Sequence, residues 1–174
     1  MFKFEDLVIS QATMERLKNK QQLLEWLEQG KSLQDIFGFS DEALIEFYEA
    51  AKKIFEQKRF CEAIKAFTFL TNLAPNVPAF WLGLGIAQQN NKEWEQAILS
   101  FQAAYELEQI NFIPYKLCIE CLIEIGNEKD AIITLDLAEK YADEHSEDPR
   151  SVILKQESEI ARKALENRIR KNEA

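Results

Sequence analysis

The sequence has few turn-forming residues, with five glycines and four prolines in 174 positions. A β-sandwich or β-barrel needs a turn between successive strands and would contain more of both, so the composition favours helices. Cysteine is also scarce, with three copies. Glu5 and Asp6 interrupt the apolar stretch that a secretion signal would need. An odd number of cysteines without such a signal indicates a reducing cytoplasm rather than a disulfide framework.

Positive charge is in deficit as well. There are 21 lysines and arginines against 30 aspartates and glutamates, which gives a formal net charge of −9. Binding to nucleic acid requires a concentrated basic surface, so we expect no nucleic-acid partner. The run from 66 to 91 contains no charged residue, but Pro75, Pro78 and a Gln-Gln-Asn-Asn string lie within it. It predicts a helix–turn–helix rather than a membrane span, and we expect no membrane insertion.

The sequence does contain a repeat of 34 residues, to which many of its aromatic side chains belong. Apolar residues make up 47% of the chain, enough for a core, and phenylalanine alone occurs twelve times. Five columns of similar residues recur in three copies, and a sixth recurs in two. The columns are Phe47/Trp81/Tyr115, Ala63/Ala97/Ala131, Ile64/Ile98/Ile132, Phe67/Phe101/Leu135, Leu73/Leu107/Tyr141 and Phe60/Trp94.

A period of this length predicts two antiparallel helices per unit, which bury their apolar faces only by stacking on neighbouring units. Small residues such as Ala97 let the two helices approach closely, and large ones such as Trp81 fill the space between units. The pattern resembles the tetratricopeptide repeat, with Trp81, Leu84, Gly85, Ala97 and Phe101 in the second copy. We therefore predict an all-α fold, a right-handed superhelix of three helix pairs. Its repeats are 44–77, 78–111 and 112–145.

Two flanking regions complete this organisation. Residues 1–43 predict an N-terminal helical extension. Residues 146–174 predict a C-terminal capping helix and a basic tail, since 150–174 hold seven basic and four acidic side chains. A thin apolar stripe on that helix is expected to face the repeats. The stripe comprises Val152, Ile153, Ile160, Ala164 and Ile169.

Residues suited to catalysis or metal binding are few. Cys118 and Cys121 form a C-x-x-C string, but no second pair of cysteines or histidines could complete a zinc site. The single histidine, His145, lies in an acidic loop. We expect no catalytic residue, no metal and no cofactor, and the protein is predicted not to be an enzyme.

Binding of an extended peptide finds more support. In this repeat class, fixed positions on the first helix of each pair line a concave groove, and here about half of them are apolar. Such a surface suits a segment with buried aliphatic anchors. The groove residues predicted on these helices are Ile45, Tyr48, Lys52, Phe55, Leu82, Ile86, Gln89, Lys116 and Glu120.

Over residues 23–142 the sequence resembles the class II chaperones of bacterial type III secretion. The resemblance rests on Leu23-Leu24-Glu25-Trp26-Leu27, Phe60-Cys-Glu-Ala63, Phe80-Trp-Leu-Gly-Leu-Gly85 and Glu120-Cys-Leu122. It implies a cytoplasmic bacterial chaperone that keeps hydrophobic translocator proteins soluble before export. The client would lie extended in the groove through a segment of the P-x-L-x-x-P type.

The resemblance also implies roles for particular residues. Tyr48, Phe55, Phe60 and Phe101 match groove aromatics of the family, whereas Lys52 replaces one of them. Members often form homodimers through their N-terminal helices. By position, that role falls here to Leu17, Leu24, Trp26 and Leu27.

Three other interpretations remain open. The chain could be a general repeat adaptor that joins cytoplasmic proteins and has no hydrophobic client. It could be a redox module that uses Cys118 and Cys121. The basic C-terminal helix could bind a membrane surface, although its apolar stripe is thin and glutamates interrupt it.

Overall fold

The computed structural model describes Glu15 and residues 18–172, and these form helices without any strand. From residue 20 onward we number nine helices in chain order. They are α1 (Lys20–Glu28), α2 (Leu33–Phe37), α3 (Asp41–Glu56), α4 (Phe60–Leu73), α5 (Pro78–Asn90), α6 (Trp94–Leu107), α7 (Phe112–Glu124), α8 (Glu128–Glu144) and α9 (Pro149–Asn172).

The all-α repeat fold is confirmed. Three antiparallel helix pairs, α3/α4, α5/α6 and α7/α8, follow one another, and each helix packs mainly on its sequence neighbours. The first helices of the pairs also contact one another, α3 with α5 and α5 with α7. The helix α9 closes the array by packing on α8 and, to a smaller extent, on α7.

Local sequence signals explain where several helices begin and end. The Ser40 hydroxyl accepts a hydrogen bond from the Ala43 amide at the start of α3. Ser32 and Asp35 form a reciprocal capping box on α2, which ends at Gly38 in the left-handed conformation, φ +74°. Pro78 occupies the first turn of α5, where its missing N–H costs nothing.

The repeat columns form the core. The alanines at 63, 97 and 131 have no exposed surface, and Phe67, Phe101 and Leu135 are buried. Between the phenylalanines runs α5, which lacks side chains at two points. A Cβ at Gly83 would lie 2.5 Å from the Phe67 ring, and one at Gly85 would lie 2.5 Å from the Phe101 ring. These glycines thus allow α4 and α6 to approach α5 from either side.

The capping helix is rotated relative to the prediction. Its buried residues are Ser151, Leu154, Ser158 and Leu165, whereas Val152, Ile153 and Ile160 are exposed. The predicted stripe was therefore wrong for these three residues and for the exposed Ala164, although Ile169 is half-buried. The serines fit the interface because each hydroxyl donates to a backbone carbonyl, Ser151 to His145 at 2.6 Å and Ser158 to Leu154 at 2.8 Å.

Ion pairs hold α9 in this rotation. Arg162 contacts Asp136 at 2.5 Å and Glu139 at 2.8 Å, and Lys155 contacts Asp143 at 2.6 Å. All three carboxylates belong to α8. The reversal of charge sign near the C-terminus thus pairs a basic helix with an acidic one.

The N-terminal helix α1 has no buried residue. Leu24 and Leu27 are 50% and 45% exposed, and Trp26 is half-buried, with the Lys31 ammonium 5.4 Å from its ring centroid. Leu17 lies outside the described residues. Across the described part of the chain, none of the helices is both long and apolar enough to cross a membrane.

Candidate functional site

The adjoining sides of α3, α5 and α7, here called the groove face, carry most of the predicted binding residues. Ile45, Lys116 and Glu120 are exposed there. Half-buried positions are Tyr48, Lys52, Phe55, Leu82, Ile86 and Gln89. Because α3 contacts α5 and α5 contacts α7, these side chains belong to one continuous layer of helices. The repeat register thus distributes accessible apolar groups over all three repeats.

Tyr48 marks the N-terminal end of this face. Its ring packs against Phe67 and Phe80, with centroid distances of 6.0 and 5.6 Å. The Lys52 ammonium lies 5.5 Å from the Tyr48 ring centroid and pairs with Glu49 at 3.0 Å. This hydrogen bond raises the pKa of Lys52, so the lysine stays charged. An apolar ligand group on this side of Tyr48 would therefore have a cation beside it.

Phe55 and Phe60 form a second aromatic pair, with ring centroids 5.4 Å apart. Phe55 ends the first helix of repeat 1 and Phe60 begins the second, so the pair spans the turn between α3 and α4. Both rings are half-buried. Phe55 packs on the first core cluster through one part of its surface and leaves another part for contact.

A cleft of about 380 Å³ opens beside Leu82, between the second and third repeats. Leu82 and Ala79 contribute from α5, and Pro114 contributes from the start of α7. The full lining is Val77, Pro78, Ala79, Leu82, Ala104, Glu108, Asn111 and Pro114. Most of these groups are apolar, and the volume is enough for one or two aliphatic side chains.

Several lining residues were missed by the sequence analysis. Ala104 lies in the last turn of α6, Glu108 directly follows that helix, and Pro114 lies in the first turn of α7. The repeat template assigns groove positions only to the first helix of each pair. The charge-free Val77-Pro78-Ala79 entry into α5, opposite a second proline at 114, was the available signal.

The third repeat is more polar. The Gln89 amide donates to the Glu120 carboxylate at 3.5 Å and so links α5 to α7. Lys116 and Glu120 are both exposed, and the neighbouring Ile113 is exposed over more than half of its surface. This end of the groove face offers hydrogen-bonding groups next to one large aliphatic side chain.

Phe101 does not belong to the groove face. Its side chain has no exposed surface and packs against Gly85 inside the α5/α6 pair. Phe101 is therefore a core residue, in the same column as the buried Phe67 and Leu135. The other aromatic residues predicted for the groove, Tyr48, Phe55 and Phe60, are half-buried.

The residues with potential for other chemistry are engaged in packing. Cys118 and Cys121 have no exposed surface, and burial raises their thiol pKa values to about 12 and about 11. Thiols in such surroundings are poor nucleophiles. His145 stacks on Tyr141, with ring centroids 4.0 Å apart. In the part of the chain that the structure describes, no cluster of potential ligands could hold a metal ion.

The fold is that of known solved structures. A type III secretion complex from Aeromonas hydrophila aligns with a TM-score of 0.72 and 21% identity, over 86% of this chain and 97% of that one. The translocator chaperone SycD of Yersinia enterocolitica aligns with a TM-score of 0.64 and 22% identity, over 77% and 98%. PcrH, a protein of Pseudomonas aeruginosa, in complex with the chaperone-binding region of PopD gives 0.63 and 21%, over 75% and 96%.

The chain has the fold of these secretion proteins. The likeness extends over nearly the whole length of each of the three structures. By sequence, the chain matches no protein-family model and no curated protein. The likeness to these structures thus lies in the three-dimensional packing of the helices.

Proposed function

We propose that the protein is a cytoplasmic chaperone of a bacterial type III secretion system, which binds hydrophobic translocator proteins through the groove face. The observation that carries the proposal is a row of accessible apolar side chains across α3, α5 and α7 in a chain with the fold of translocator chaperones. One of the structures with this fold holds the chaperone-binding region of a second protein, PopD. The protein acts by binding and performs no catalysis.

The groove face suits an extended segment with separated aliphatic anchors. One anchor would contact Ile45 and Tyr48 on α3, and another would enter the cleft beside Leu82. A client segment of the P-x-L-x-x-P type loses little conformational entropy on binding, because its prolines already favour an extended backbone. Each well-buried anchor contributes about 1.5–3 kcal/mol. Two or three anchors are then enough for a stable but reversible complex.

The test is co-expression with the hydrophobic translocator proteins encoded in the same genome, followed by co-purification. We expect a soluble complex and, for an isolated client segment, a loss of affinity of about tenfold or more on Ile45→Glu, which places a charge on the apolar surface. Leu99→Glu is the matched control, since Leu99 is a similarly exposed aliphatic residue on α6, away from the groove face.

Two results would contradict the proposal. One is equal binding by the Ile45 and Leu99 variants, which would place the client elsewhere. The other is binding of cytoplasmic proteins together with failure to bind any translocator, which would favour a general repeat adaptor.

We further propose that Leu24, Trp26 and Leu27 contact a second copy of the chain. The two leucines are about half exposed although they occupy the middle of a helix. Apolar side chains spaced three residues apart lie on one side of a helix and gain stability when another surface covers them.

A further inference from the structure

The cleft beside Leu82 has one charged group in its lining, the carboxylate of Glu108. Six of the eight lining residues are apolar, and the two polar ones, Glu108 and Asn111, both lie in the turn between α6 and α7. Glu108 is exposed and Asn111 is half-buried. A ligand that fills this cleft therefore meets an apolar surface and a negative charge side by side.

Two hydrogen bonds of the Asn111 side chain hold this carboxylate in place. The Asn111 Oδ1 atom accepts from the Ile113 amide and caps α7, and its Nδ2 atom donates to Glu108 Oε2 at 3.2 Å. Both ends of the Asn111 amide are thus engaged, which fixes Glu108 relative to the start of α7. A carboxylate has two oxygens with about four lone-pair sites, so Glu108 can accept further hydrogen bonds from a ligand.

The Glu108 carboxylate has no cationic partner among the described residues, where no lysine or arginine forms an ion pair with it. Arg150 lies within range of the Glu108 charge, but its guanidinium is held by both oxygens of Asp148, at 2.7 to 3.2 Å. The Glu108 carboxylate is therefore available to a cation from outside the chain.

Glu108 is peculiar to this turn of the array. At the equivalent positions, 34 residues before and after it, the sequence has Ala74 and Ala142. Both alanines are buried, whereas Glu108 is exposed. The packing of the repeat therefore does not require a carboxylate at this position, and a role in ligand binding accounts for it.

We propose that the cleft binds two side chains of the client, an aliphatic anchor and, beside it, an arginine whose charge meets Glu108. The cleft volume of about 380 Å³ has room for the anchor and for the aliphatic stem of the arginine. A guanidinium pairs with a carboxylate through two parallel hydrogen bonds, which favours arginine over lysine. The inference rests on the proposed function, because it names what the client carries next to its anchor.

The spacing of the two client residues follows from the extended backbone. Side chains two residues apart lie on the same side of an extended chain, about 6.6 Å from each other. In a segment of the P-x-L-x-x-P type, the residue two places before the leucine is proline, whereas the residue two places after it is variable. We therefore expect the arginine at this last variable position.

The test measures, by fluorescence anisotropy, binding of fluorescein-labelled peptides with the core Pro-Ala-Leu-Ala-Xaa-Pro, in which Xaa is Arg, Ala or Glu. We expect the wild type to bind the Arg peptide about three- to fivefold more tightly than the Ala peptide, and the Glu peptide most weakly. Glu108→Gln should bind the Arg and Ala peptides equally, and Glu108→Lys should bind the Glu peptide most tightly. Position 108 is exposed, and glutamine can accept the same hydrogen bond from Asn111, so we expect both variants to fold.

Glu106→Gln is the matched control, because Glu106 is an exposed glutamate of α6 outside the cleft lining. It removes the same charge and should keep the wild-type order of affinities. An equal effect of Glu106→Gln would attribute the preference to the net negative charge of the chain and overturn the inference.

Two further results would overturn the inference and leave the proposed function standing. One is equal binding of the three peptides by the wild type, and the other is an unchanged preference for the Arg peptide in Glu108→Gln. Failure of the wild type to bind any of the peptides up to about 1 mM has a different meaning. It would contradict the client segment proposed for the groove face, together with this inference.

Discussion

At Gly85 the backbone of α5 touches the ring of Phe101, which makes this glycine a steric requirement of the repeat. An alanine Cβ would lie 2.5 Å from the ring, and Phe101 has no exposed surface into which it could move. Alanine gains about 1 kcal/mol of helix propensity over glycine. Overpacking of a dense core costs about 1–3 kcal/mol, and at this distance we expect it to dominate.

We predict that Gly85→Ala lowers the free energy of unfolding by about 1–2 kcal/mol, measured by urea denaturation. The same substitution should also be made in the Phe101→Leu variant, because the third repeat has a leucine, Leu135, at the position equivalent to Phe101. In that background the clash is relieved, and Gly85→Ala should be neutral or stabilising. An equal loss in both backgrounds would show that Phe101 is not the cause.

At the scale of the helix, the structure shows which parts of a repeat a sequence can specify. The buried columns at 63/97/131 and 67/101/135 were predictable because every pair repeats the same packing. The rotation of α9 could not be predicted in this way. Its interface contains two serines, and their hydroxyls donate hydrogen bonds to backbone carbonyls of the same chain. Hydrophobicity alone assigns such positions to the solvent face.

The same limit applies to the candidate site. The sequence predicted accessible residues on α3, α5 and α7, and Ile45 and Leu82 are accessible there. It also placed Phe101 in the groove, although an aromatic residue in a repeat column can face either the core or the ligand surface. The packing of the Phe101 ring on the Gly85 backbone places it in the core, and this contact joins two helices across a turn.

The ion pairs of Arg162 fix the position of α9. The guanidinium contacts Asp136 and Glu139 on α8, and its side chain is 25% exposed. We predict that Arg162→Met lowers the free energy of unfolding by about 1 kcal/mol at low salt. Arg168→Met is the control, because Arg168 is exposed on the outer side of the same helix.

The difference in free energy of unfolding between the two arginine variants should shrink at about 1 M NaCl, where charges are screened within about 3 Å. Urea denaturation at two salt concentrations measures it. If Arg168→Met were as destabilising as Arg162→Met, net charge rather than the specific pairs would hold α9 in place.

At the scale of the whole molecule, the array is built from contacts between neighbours. The core falls into two clusters, one spanning α3 to α5 and one centred on α6 to α9, and Leu82 and Ile86 of α5 also pack on the second. In such architectures stability is close to a sum of repeat and interface contributions, so one end can open while the other stays folded. The cysteines lie in two parts of this array, with Cys61 exposed on α4 and both Cys118 and Cys121 buried in α7.

Thiol labelling can therefore report on opening of the C-terminal half. At pH 8, Cys61 should react at once, whereas the raised pKa values and burial of Cys118 and Cys121 make their reaction wait for α7 to become exposed. We predict one fast and two slow thiols, counted with a chromogenic disulfide reagent. Arg162→Met should accelerate the slow phase more than Phe67→Leu, since Phe67 belongs to the first core cluster. The slow thiol reaction could instead accelerate in proportion to the stability lost, whichever core cluster carries the substitution. That result would show that the array opens as one cooperative unit.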